Sequence, residues 1–156
     1  MTNMLPAPYL STVADTIQAA IAPVFLLAGI GAFLNVMVGR LARIVDRARV
    51  IEQLHPRSTG PEHDRHVWEL RIIDQRISVI NNAIFLCVAS ALAISIVVAL
   101  MFVSRLANLH VGLWVAVAFI LSMLLLMGGL IYFLFEVRMS LKSIHIRKEL
   151  LELDRK

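Results

Sequence analysis

The sequence predicts an all-α membrane protein: three transmembrane helices, a cytoplasmic helical hairpin and a C-terminal helix. Three observations lead there. Of the 156 residues, 59% are hydrophobic and 17% charged, against roughly 45–50% and about 25% in a soluble domain. The apolar residues gather in three blocks, Ile17–Val38, Val79–Val103 and Val111–Phe135, none of which contains a charged residue. Each block is long enough to form a helix of about 33–38 Å, sufficient for a hydrocarbon core near 30 Å. Finally, the 15 Lys and Arg are placed unevenly. None precedes the first block, eight lie between Arg40 and Arg76, one in 104–110, and six follow Phe135. The positive-inside rule then puts the N-terminus and the tight turn outside, and the long connection and the tail in the cytoplasm. The expected location is a cytoplasmic (inner) membrane.

Residues 1–16 form an extracytoplasmic N-terminus. It has no Lys or Arg to serve as the positive n-region of a signal peptide. Thr12 and Asp15 have capping-box spacing, downstream of Pro6 and Pro8. The first span, 17–38, contains Pro23, which removes one backbone hydrogen bond and is tolerated where neighbours satisfy the freed carbonyl. It also carries Gly29 and Gly31 beside Ala28 and Ala32, small residues that permit close helix contact.

The cytoplasmic connection, 39–78, reads as a helical hairpin. Leu41, Ile44, Val45, Ala48 and Ile51 recur at helical spacing, with Arg40, Arg43, Asp46, Arg47 and Gln53 on the remaining surface. His55 to Pro61 has the composition of a turn. Leu70, Ile73, Ile77, Ile80 and Ile84 then step by three and four, a coiled-coil-like seam leading into the second span.

The second span, 79–103, carries Ala83, Cys87, Ala91, Ser95 and Ala99, five small residues at successive fourth positions. That pattern predicts helix packing and, with the small residues of the first span, a homo-oligomer. Cys87 is the sole cysteine, so no disulfide forms within the chain; it reads as a packing residue. After the extracytoplasmic turn, 104–110, Trp114 suits an interfacial position in the third span, 111–135. In the tail, 136–156, Leu141, Ile144, Leu150, Leu151 and Leu153 alternate with charges. Such a helix packs on the hairpin or lies on anionic headgroups of the inner leaflet.

Little in the sequence points to catalysis. Nucleophile elbow, phosphate-binding loop and dinucleotide fingerprint are all missing. The spans hold serines but no acid or imidazole, so a nucleophile has no general base. Catalytic residues and a cofactor are therefore not expected. His63 and His66, with Glu62 and Glu69 nearby, are the weak candidates for a metal, and no third ligand can be placed with them. Nucleic acid is disfavoured because the positive charge flanks apolar blocks rather than forming a basic domain.

The remaining candidates lie at the ends of the spans. Asn35, Arg40, Arg43, Asp46 and Arg47 gather toward one region of the first helix, and Glu136 ends the third span. Glu136 is placed to pair with Arg40 or Arg43. These six residues form either an ion-pair belt or the inner ring of an ion pore, whose outer mouth would hold Asp15 and Gln18. The competing reading is a non-conducting scaffold that binds a partner through hairpin and tail.

The residues quoted next carry a family resemblance. Pro23, the Gly-Ile-Gly of 29–31, the run Gly-Arg-Leu-Ala-Arg-Ile-Val-Asp-Arg-Ala-Arg from Gly39 to Arg49, and Glu136-Val137 resemble the bacterial membrane-protein family catalogued as domain of unknown function 2721. The resemblance runs from about Asp15 to Ile144. Gly39-Arg40 stands where that family usually has Asn-Arg, and Asn81-Asn82 where it tends to have Arg-Arg. The resemblance implies the architecture and no particular activity.

Overall fold

In the computed structural model the chain is three helices: α1 (Ala7–Leu54), α2 (Pro61–Leu106) and α3 (Gly112–His145). The structure describes residues 7–54, 60–107 and 112–145, with side chains at 14–53, 60, 63–107 and 112–141. Gly60 and Ala107 are the only described residues outside a helix. All three helices are long and apolar enough to cross a membrane.

The helices do not stop where the apolar blocks stop. α1 continues from the first block to Leu54, and α2 enters the second block from Pro61. The expected turn lies outside the described residues at 55–59, as does the tail beyond His145. At the start of α2, the Gly60 carbonyl accepts from the His63 N–H at 3.0 Å and the Asp64 N–H at 3.4 Å. Gly60 has φ +68°, a left-handed conformation that glycine adopts without a Cβ clash. Pro61 then occupies the first helical position, where its missing N–H costs nothing.

The N-terminus of α1 differs from the sequence reading. The helix begins at Ala7, so Thr12 and Asp15 lie inside it and do not form a cap. Pro8 falls in the first turn, where proline fits, and so does not delay the helix. α1 also runs unbroken through Pro23.

Two compact units form, and each helix contributes a segment to both: 1–34 with 86–127, and 35–85 with 128–156. In the first unit, Thr16, Ala20 and Ile30 of α1, Cys87, Ser90, Ile94 and Val97 of α2 and Ser122 of α3 are buried. The Ser90 hydroxyl donates to the Ser122 carbonyl at 2.8 Å, tying α2 to α3. The Ser122 hydroxyl turns back to the Phe119 carbonyl at 2.7 Å, so neither buried hydroxyl lacks an acceptor. In the second unit, Ile44 and Ile51 of α1 pack with Ile73 of α2, flanked by Ala48, Leu70 and Ile77.

The buried positions recur every seven residues. On α1 they include Ile30, Met37, Ile44 and Ile51; on α2 Ile73, Ile80, Cys87 and Ile94; on α3 Ser122, Gly129 and Glu136. A seven-residue recurrence is the pattern that left-handed helix packing requires. Most apolar side chains point away from these seams. Within the apolar windows only 17%, 22% and 11% of residues are buried. Phe25, Phe85, Leu113 and Trp114 are at least 70% exposed. A soluble chain could not leave that much apolar surface in water; lipid or further protein must cover it.

Candidate functional site

The site lies in the second unit, where Glu136 is 1% exposed although its helix is otherwise apolar for several turns. α3 buries every seventh residue, and Glu136 follows Ser122 and Gly129 in that series. The carboxylate is therefore directed inward by helix register. Both of its oxygens are engaged. Arg40 on α1 donates from Nη1 to Oε2, and Arg76 on α2 donates from Nη2 to Oε1 at 2.9 Å. One carboxylate thus joins three helices through two charge-assisted bonds, each roughly twice as strong as a neutral one.

A buried carboxylate with no partner would be strongly disfavoured. Here the carboxylate has two partners, and the side chains of Arg40 and Arg76 keep 29% and 17% exposure, so the guanidinium side of the cluster is open to its surroundings. The Arg40 guanidinium also stands over the Phe133 ring, 5.6 Å from its centroid, a cation–π contact that holds it toward α3. Arg76 Nε is buried and has no hydrogen-bond partner.

The other residues singled out from sequence fall into two groups. Arg43 and Arg47 come to the same place: with Arg40, Arg76, Glu136, Ser140, Ile44 and Ile73 they line a cleft of about 240 Å³. Arg47 makes a second ion pair, with both Nε and Nη2 donating to Glu69 Oε1 at 3.0 and 2.7 Å. Of the two partners expected for Glu136, Arg40 is the one that pairs and Arg43 is exposed, while Arg76 is a second partner that the sequence reading did not name. Asn35 and Asp46 are exposed on α1, as are Asp15 and Gln18 within the first unit.

The small residues divide as well. Ala83 and Cys87 are fully buried, Ala91 is half-buried, and Ser95 and Ala99 are exposed. A step of four advances the helix by about 400°, so a strict fourth-residue stripe drifts about 40° per step away from a packed face. The exposed Ser95 hydroxyl donates to its own helix at the Ala91 carbonyl, 2.9 Å away. Gly29 and Gly31 are exposed, and a methyl group added to either would meet no atom within 4 Å. His63 and His66 are half-exposed. Among the described residues no three His, Cys, Asp or Glu side chains are grouped to hold a metal.

Three long apolar helices, with charge admitted only at the ends of their apolar blocks, define an integral membrane protein. The model of the family described as protein of unknown function, domain of unknown function 2721, matches residues 20–146. The chain belongs to that family. No curated protein and no solved structure matches it.

Proposed function

We propose that the protein is a homo-oligomeric ion channel of the bacterial inner membrane, N-terminus outside and C-terminus inside, with α1 lining the pore. The observation that carries this reading is the composition of the exposed surface of α1. Apart from Thr16 its buried seam is apolar, whereas Asp15, Gln18, Asn35, Arg43 and Asp46 are exposed together with Ala28, Gly29, Gly31 and Ala32. Of these, Gln18 and Asn35 lie within the first apolar block, and polar side chains at membrane depth are costly against lipid and face protein or a water-filled cavity. In an oligomer they would face other copies or water. Its function is non-enzymatic, and its partners are copies of itself, membrane lipid and the conducted ion.

A second reading has a specific observation behind it. Ala28, Ala32, Asn35, Gly39, Ala42 and Asp46 alternate steps of four and three along α1, the spacing of a seam that meets another helix directly. A dry contact of that kind gives a non-conducting scaffold, with hairpin and tail free for a partner.

The test begins with the mass of the full-length particle in nanodiscs. A tetramer or larger is expected; a monomer or dimer overturns the channel reading. Asn35→Cys, in a Cys87→Ala background, then separates lining from contact. Modification by a charged, membrane-impermeant thiol reagent with altered ion flux is the channel result. Ready disulfide formation between copies, with no flux, is the scaffold result.

A further inference from the structure

The cleft beside Glu136 carries an excess of positive charge that the described residues do not neutralise. Arg40, Arg43, Arg47 and Arg76 line it against the single carboxylate of Glu136. Glu136 has no oxygen left, since one is taken by Arg40 and the other by Arg76. Glu69 engages Arg47 from outside the lining, and among the described residues two positive charges stay uncompensated. Arg43 has no ion pair among the described residues. Arg76 lines the cleft as well, and its Nε–H is buried without a partner. A buried donor left so costs about 1–3 kcal/mol, more when charged.

The place and the size narrow the ligand. Arg40 lies two residues beyond the first apolar block, Arg76 three before the second, and Glu136 directly after the third. Residues at those block ends sit at the depth of lipid headgroups. At about 240 Å³ the cleft is smaller than the roughly 300–1,000 Å³ of pockets for drug-sized ligands. Guanidinium groups favour oxyanions because their planar N–H forks match two oxygens at once. We propose that this cleft binds a phosphate oxyanion presented by the headgroup of an anionic lipid, with Arg43 and Arg76 as its principal donors. The arrangement is built within one chain and does not depend on oligomer formation or on conduction.

The experiment uses the full-length protein in phosphatidylcholine nanodiscs, titrated with short-chain phosphatidic acid and followed by native mass spectrometry. Arg43→Gln is the test variant, because Arg43 is exposed and holds no helix in place. Arg49→Gln is its control: it removes the same charge from an exposed position on α1 outside the cleft. The expected result is saturable binding that weakens about tenfold or more in Arg43→Gln and less than twofold in Arg49→Gln. Equal weakening in both variants means diffuse surface attraction and overturns the proposal. So does phosphatidylcholine of the same chain length competing as well as phosphatidic acid, or no saturable binding at all. A parallel titration with inorganic phosphate distinguishes the sources. If it binds as tightly and displaces the lipid, the oxyanion chemistry stands and the lipid source is overturned.

Discussion

Replacing Glu136 removes a group that joins three helices, and the structure sets the size of the effect. Glu136→Gln keeps the shape of the side chain. It loses the charge and turns one of two acceptors into a donor facing a guanidinium. Two hydrogen bonds to charged groups, each about 1.5–3 kcal/mol, are weakened or lost. Breaking a buried ion pair by removing one partner costs about 3–5 kcal/mol. Arg40 keeps 29% exposure and part of its charge can rehydrate, so the lower end, about 3 kcal/mol, is expected. For a chain of this length that lowers the Tm by roughly 6–12 °C. Thermal unfolding in detergent micelles, followed by circular dichroism, measures it. A second arm identifies the cause. Changing Arg40 and Arg76 to Met and Glu136 to Leu together should recover most of the loss, because no charge is then left buried without a partner. A single-variant loss under about 1 kcal/mol would refute the reasoning and show that water or lipid replaces the carboxylate. A triple variant as unstable as the single would assign the effect to packing instead of charge.

Two further substitutions test other parts of the fold. Gly60→Ala places a Cβ at φ +68° and should cost about 1–2 kcal/mol, read from the same melts. Ile73→Ala empties the center of the apolar cluster formed with Ile44 and Ile51. It should cost about 2–5 kcal/mol, whereas Val50→Ala, at an exposed position of α1, should change stability by under about 0.5 kcal/mol; equal effects would mean that these helices do not pack as described.

The helices were legible because their signals are local and repeated. Three charge-free blocks and the spacing of Ile44, Ala48 and Ile51 are visible within a few turns of chain. The seam Leu70, Ile73, Ile77, Ile80 and Ile84 is likewise what α2 presents inward, with Ile73 and Ile80 buried. The start of α1 was misjudged because a short Thr–Asp spacing was weighed above the compatibility of proline with a first helical turn. The ion cluster was legible in part. Glu136 and Arg40 stood out as charges next to apolar blocks, but Arg76 occupies the same position before the second block. Antiparallel neighbours bring those block ends to one level, so the signal for Arg76 was present. Settling on Arg40 rather than Arg43, and adding Arg76, required the angular position on each helix, which depends on whether the repeat is 3.5 or 3.6 residues. The same distinction decides which small residues of α2 are buried. A fourth-residue stripe and a seventh-residue seam begin together at Ala83 and Cys87, then part company.

The recurrence of buried positions at seven has a consequence for how this chain can change length. Inserting a single residue between Ile44 and Ile51 would rotate everything beyond it by about 100° and turn the apolar seam toward solvent. An insertion of seven residues restores the register and lengthens the helix by about 10.5 Å. The facing stretch of α2, around Ile73, must then gain the same number for the two seams to stay matched. The paired segments of α1 and α2 beyond the apolar blocks can therefore change length and keep their register only in paired heptads. Relatives with longer or shorter hairpins should differ from this chain by multiples of fourteen residues in that region.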